Sequence, residues 1–256
     1  DLHLSLRRQR QMCIRDSDER SVADLLVDQV EFADLILISK TDLVNTEDLE
    51  RLKAILKTLN TDAKVLPIEH GNVDIDKVLN TGLFDFERAR QAPGWLKEMR
   101  GEHIPETEEY GIGSFVYRRK IPFHQDRFLE FVQNNFPENI IRSKGLFWIA
   151  SRPDQALIWS TAGGSIKTDS AGVWWASMPF SERINYANFV NNQDQIESDW
   201  DINFGDRKIE LVFIGQQLDV LKITEQLDSC LLTEAEQILF KDNKFPLTDN
   251  WPIVTN

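Results

Sequence analysis

The 256-residue sequence has only two cysteines, Cys13 and Cys230, far apart and in no CxxC pair. That excludes a disulfide framework and fits a reducing compartment, so a cytoplasmic location is expected. No apolar run approaches the roughly eighteen residues of a membrane span, and no membrane partner is expected. A basic surplus is also missing: the formal charge is -13, with acids spread along the chain. Phosphate binding by nucleic-acid proteins needs clustered Lys and Arg, so no nucleic-acid partner is expected. His103 and His124 lack Cys or His neighbours at ligand spacing, and a tetrahedral zinc site needs three or four ligands, so neither is read as a metal ligand. The 41% apolar content is enough to bury a core, and the length allows one large domain or two ordinary ones.

The stretch that is present and informative is Leu35-Ile-Leu-Ile-Ser-Lys-Thr-Asp-Leu43. It reads as a buried parallel strand, Leu35 to Ile38, that delivers Ser39-Lys40-Thr41-Asp42 at its carboxyl end, where open α/β sheets place ligands. The tetrapeptide fits the guanine-reading pattern Asn/Ser/Thr-Lys-x-Asp. Asp42 can accept from the ring N–H and exocyclic amine of guanine. Adenine lacks that donor pair and would leave the carboxylate unpaired. The Lys40 stem can lie over the base. A strand end running into a helix cap is the plainer alternative, and the flanking elements favour the nucleotide reading.

Residues 1–17 are basic, unlike the acidic remainder, and contain no signal-peptide h-region. They resemble a translated sequencing-adaptor tail and are expected to be non-native, a basic targeting arm being the alternative, and the chain is expected to be a fragment. From Ser21 a helical stripe, Val22, Leu25, Leu26, Val30 and Ala33, follows a Ser21–Asp24 capping pattern. After the first strand, Thr46 is expected to cap a helix with the stripe Leu49, Leu52, Ile55, Leu56 and Leu59. A second strand, Lys64 to Ile68, ends in Glu69-His70-Gly71, and a short helix is expected over Asp74–Leu79. His70 and Gly71 are candidates to flank the base, with Gly71 allowing close backbone approach. This α-β-α-β-α succession is part of a doubly wound sheet.

Residues 85–110 read as a linker, 111–240 as a second, smaller α+β sandwich with helices on one sheet face, and 241–256 as a tail. In the second unit strands are expected at Gly113–Tyr117, Leu146–Ala150, Ala156–Thr161 and Lys208–Gly215. Helices are expected from Pro122, over Ser181–Val190 and Val220–Leu227, and from Thr233. Trp148, Trp159, Trp174 and Trp175 are expected in a helix–sheet core, a partner-docking sheet being the alternative. Arg142-Ser-Lys-Gly145 reads as a solvated turn before a strand, contact with a phosphate or an acidic partner being the alternative, and Cys230 reads as a small core residue.

In order and spacing, these pieces resemble the CobW-type GTPases, P-loop metallochaperones. The resemblance is carried by Ala33-Asp-Leu-Ile-Leu-Ile-Ser-Lys-Thr-Asp-Leu43, Glu69-His-Gly71 with Asp74-Ile75, Arg142-Ser-Lys-Gly-Leu-Phe-Trp148, Ala162-Gly-Gly-Ser165, Trp174-Trp175 and Glu210-Leu-Val-Phe-Ile-Gly215. It implies a partial P-loop G domain over residues 18–84 followed by a CobW C-terminal domain. The activity implied is GTP hydrolysis coupled to delivery of a divalent metal, zinc above all, to a client metalloprotein, with homo-oligomers allowed. Carried over by position, Lys40 and Asp42 would confer guanine specificity, with Ser39, His70 and Gly71 around them. The chain departs from the family in having no G-x-x-x-x-G-K-[ST] loop, no switch aspartate for Mg²⁺ and no Cys-x-Cys-Cys motif. Since hydrolysis needs Mg²⁺ and backbone N–H groups around the phosphates, this chain alone is expected to be inactive.

Overall fold

The computed structural model describes residues 22–85 and 111–252. The opening segment 1–17, Ser21 of the expected capping box, and the linker from residue 86 onward lie outside the described residues.

The first unit is a β-α-β crossover preceded by a helix. Helix α1 (Val22–Phe32) turns through Ala33-Asp34 into strand β1 (Leu35–Ile38). Helix α2 (Thr46–Leu59) then returns the chain to β2 (Lys64–Pro67), which pairs parallel with β1 from Leu35↔Lys64 to Ile38↔Pro67. Asn45, not Thr46, caps α2: its side-chain oxygen accepts from Asp48 N at 2.8 Å, which satisfies a donor the helix itself cannot use. The helix expected at Asp74–Leu79 is a single 3₁₀ turn, Ile75–Lys77.

Asn60 fixes the turn that follows α2. Its amide nitrogen donates to Val30 O and Ala33 O, both at 2.8 Å, while its oxygen accepts from Asp62 N and Ala63 N. One buried side chain thus joins the end of α1 to the start of β2, with its polar groups satisfied.

The second unit is a five-stranded antiparallel sheet in the order β3-β7-β4-β5-β6. Its strands are β3 (Ile112–Arg119), β4 (Ile140–Phe147), β5 (Gln155–Ala162), β6 (Ser165–Val173) and β7 (Ile209–Gln216). Helix α3 (Gln125–Glu130) continues into a wider π turn, and three short helices follow β6: α4 (Phe180–Arg183), α5 (Ala187–Asn191) and α6 (Gln193–Ser198). Helices α7 (Val220–Ser229) and α8 (Glu234–Lys241) close the unit. The helix expected from Pro122 begins later, because Phe123 is held in extended bridges to Ile149 and Leu231, and His124 supplies the cap.

Alternation along the strands gives the sheet two different faces. One carries Tyr117, Phe147, Leu157, Trp159, Leu211 and Phe213 into a core with Phe128 and Phe131 near α3, and Ile223 and Leu227 of α7. Trp148, Trp159 and Trp174 are buried there, as the core reading expects, while Trp175 is half-buried beside Tyr186 and Phe189. Trp251 joins this core, and Asp249 pairs with Arg152 at 2.7 Å, so this part of the expected tail is packed onto the unit.

Helices were expected on one face of this sheet, and the opposite face carries helices as well. Val116, Val212 and Ile214 pack against Val27 and Val30 of α1 and Ile55 and Leu59 of α2. Arg142 and Lys144 also point to this side, so Arg142-Ser-Lys-Gly145 is no solvated turn but part of β4. Arg142 Nε donates to Glu31 Oε1 at 2.9 Å and its Nη2 to Asp28 Oδ1 at 3.0 Å, while Lys144 Nζ reaches Glu31 Oε2 at 2.7 Å. The side chains of Arg142 and Glu31 are only 2% and 1% exposed. Removing one member of such a pair strands the other without solvent, at a cost of about 3–5 kcal/mol.

Gly145 is required where β4 meets β7. Its φ of +152° and the nearness of the Glu210 carbonyl leave no room for a Cβ. Gly145→Ala is expected to lower stability by about 1–3 kcal/mol, read as a drop in the denaturant midpoint. Glu236 yields a pH prediction. Hydrogen bonds from Arg127, joined by those from Thr233, hold its carboxyl at about 2 against strong competition from burial. The folded value lies below the unfolded one, so the resulting stability is present above the ordinary carboxylate range and lost as pH falls toward about 2. Glu236→Gln is therefore expected to destabilise the chain at neutral pH, with the gap to the parent chain closing under acid in pH-dependent urea melts.

Candidate functional site

Because β1 and β2 are parallel and in register, their carboxyl ends lie side by side, and the loops that leave them meet. The ladder extends past the strands: Ile68 N donates to Ile38 O at 2.8 Å. Thr41 then joins the two loops, its Oγ1 donating to Ile68 O at 3.0 Å. Thr41 occupies the free position of the motif, so nothing in the pattern marked it. The available signal was a β-branched hydroxyl at a strand end, facing a carbonyl on the neighbouring strand.

Both loops contain residues in the left-handed region. Lys40 has φ 61° and is exposed, a conformation that non-glycine residues adopt at some cost and that clusters at ligand sites. His70 (φ 49°) and Gly71 (φ 72°) are the two central residues of a tight turn closed by Asn72 N donating to Glu69 O at 2.8 Å. Positive φ at both central positions is the type I′ arrangement, which explains the glycine at the second. At Gly71 a Cβ would meet nothing within 4 Å, so backbone geometry, not crowding, selects glycine.

The sequence-predicted residues therefore divide clearly. Asp42 and His70 are brought together, with His70 Nε2 3.9 Å from Asp42 Oδ2. The Asp42 side chain is 23% exposed and His70 81%, so the carboxylate is the more sheltered of the two. Lys40 and Gly71 flank this pair on their respective loops, and Ser39 stands exposed at the loop entrance. An acceptor-only carboxylate, an exposed lysine stem and an open rim match the demands of a flat heterocycle with adjacent N–H donors. Among the described residues no group of three or more His, Cys, Asp or Glu could hold a metal ion, and no helix is long and apolar enough to cross a membrane.

Comparison with known proteins yields two separate matches. Residues 6–67 match the CobW/HypB/UreG nucleotide-binding domain, beginning within the basic opening segment, and residues 112–231 match the cobalamin synthesis protein cobW C-terminal domain. The zinc-regulated GTPase metalloprotein activator 1 of Dictyostelium discoideum is 42% identical over 91% of this chain and 49% of its own length. The zinc chaperone Rv0106 of Mycobacterium tuberculosis is 30% identical over 86% of this chain and 52% of its own. The chain thus spans about half the length of the curated relatives it matches. The crystal structure of Zn(II)-bound YjiA GTPase from E. coli aligns with a TM-score of 0.36 at 21% identity, over 80% of this chain and 54% of that one, too low for comparison of detail.

The Thr41 bond can be tested separately. Thr41→Val keeps the side-chain shape but removes the hydroxyl donor to Ile68 O, leaving the longer bond from Thr41 N at 3.4 Å, and is expected to lower stability by about 1 kcal/mol. Amide exchange should accelerate in residues 38–43 and 66–72 if the loops are joined there.

Proposed function

The chain belongs to the CobW family, and from that premise we propose that it is the guanine-reading and client-facing portion of a GTP-dependent metallochaperone. The observation that carries the reading is the convergence of Asp42 and His70 at one end of a parallel strand pair. In this reading Asp42 accepts from the two donors on the guanine edge, and Lys40 lays its methylene stem along the ring. His70 and Gly71 border the opposite side, and Ser39 stands exposed at the loop entrance. An ATP base would leave the Asp42 carboxylate without partners, which sets the preference for GTP.

GTP itself would supply the phosphoryl group whose transfer to water drives a change of shape. The residues described here recognise the base; the phosphate-loop and Mg²⁺ motifs do not occur in this sequence. Hydrolysis therefore belongs to the chain joined to such a half, and the segment alone is expected to turn over no GTP. Zinc is the proposed cargo, in keeping with the names of two relatives, and a client metalloprotein the proposed recipient. A cytoplasmic setting is proposed for this work, in keeping with a sequence of only two cysteines and no CxxC pair.

The test is to join the chain to the phosphate-binding half of a relative and to measure GTP and XTP turnover with and without Asp42→Asn. Xanthine carries a carbonyl where guanine has its amine, so an amide at position 42 can donate where the carboxylate could only accept. The parent chimera should prefer GTP by about 10²-fold or more, and Asp42→Asn should shift the preference toward XTP. Equal turnover of the two nucleotides by both versions would remove Asp42 from the recognition site.

A further inference from the structure

We propose that Arg142 is a positioning residue for the guanine loops: it locks α1 to the C-terminal sheet, so the guanine-reading layer and that sheet move as one rigid body. The inference rests on the function proposed above for the loops at Asp42 and His70. Its mechanical part stands on the interface alone.

From Arg142 the connections run without a gap to β1. Arg142 is held in β4 by Thr161 O and Ser160 Oγ, both 3.2 Å from Nη1, and reaches out to Glu31 and Asp28 on the last turns of α1. The carbonyls of Val30 and Ala33, on either side of Glu31, accept from Asn60, which also holds the start of β2. Asp34 O accepts from Lys64 N at 3.1 Å, and β1 begins at the next residue. Any displacement of α1 against β4 must therefore either break a buried ion pair or carry both strand origins with it.

One attachment would leave a hinge, but the interface has more. Arg51 of α2 donates to Gln216 of β7 at 2.6 Å, and between the two polar ties lies the apolar seam of Val27, Val30, Ile55 and Leu59 on Val116, Val212 and Ile214. Ties on two helices with a packed seam between them resist rotation as well as translation. Motion driven by nucleotide would then reach the C-terminal sheet through α1 and α2, as a movement of the whole body.

Hydrogen exchange on the 256-residue chain tests this directly. In Arg142→Met, amides of residues 35–43 and 64–68 should exchange ~tenfold faster or more while those of α7, on the far side of the sheet, stay within about twofold. Glu31→Gln, which leaves β4 untouched, should give the same pattern. Equal acceleration in α7 would make Arg142 an ordinary core residue of its own domain, and unchanged exchange in 35–43 would mean that α1 is not held through it; either overturns the proposal. In the chimera with a phosphate-binding half, Arg142→Met should also weaken GDP binding ~tenfold, as expected when a binding-competent arrangement becomes a minor population. If the exchange pattern appears but the unmutated chimera binds no guanine nucleotide, the rigid body stands and the guanine reading falls.

Discussion

A guanidinium that cannot reach water constrains the rest of this molecule. Arg142 lies in the middle of a β-strand, and its counter-ions come from a helix more than a hundred residues earlier. Buried charge of this kind is a poor source of net stability, because desolvation consumes most of the attraction. It is strict about geometry, however, since every misplacement leaves a charge uncompensated. The apolar seam beside it supplies the favourable burial, and the ion pairs define the one register in which that burial is allowed.

The same division between adhesion and register recurs where β1 and β2 end. There the parallel strands supply the frame, and Thr41 and the Glu69–Asn72 turn decide how the loops face each other. Lys40 and His70 are both held in left-handed backbone conformations, a local cost borne by residues whose side chains remain exposed. Strain kept at the rim of a site, over a relaxed strand pair, is an arrangement suited to recognition.

Much of this was legible in the sequence because it is local. The apolar run Leu35–Ile38, bounded by polar residues, gave its strand to the residue, and the pattern at Lys40 and Asp42 pointed to the loop that follows. The period of α2 and the cap signal at Thr233 were also readable. What escaped depends on distant partners. Arg142-Ser-Lys-Gly145 has the composition of a turn, with weak strand propensity and two cations, and only Glu31 and Asp28 make it a buried strand. Pro122 suggested a helix start, but Phe123 was taken by pairing with residues 149 and 231, which delayed the helix to Gln125. The covered second face of the sheet had a signal that was not used: Leu211-Val-Phe-Ile214 is a continuous apolar run, as strands buried on both faces are. What covers it was hidden, because α1 and α2 belong to a segment assigned elsewhere.

That covered face bears on how such proteins can be divided. The chain falls into two recognisable stretches when compared with other sequences, and a cut near residue 111 looks natural on that basis. The sheet beyond the cut would keep Arg142 without its carboxylates and would expose Val116, Val212 and Ile214 to solvent. A graft that brings in a foreign helix lacking an acid at the place of Glu31 inherits the same deficit. The unit that can be exchanged between relatives is therefore larger than either stretch, and must include α1 and α2 with the sheet they cover.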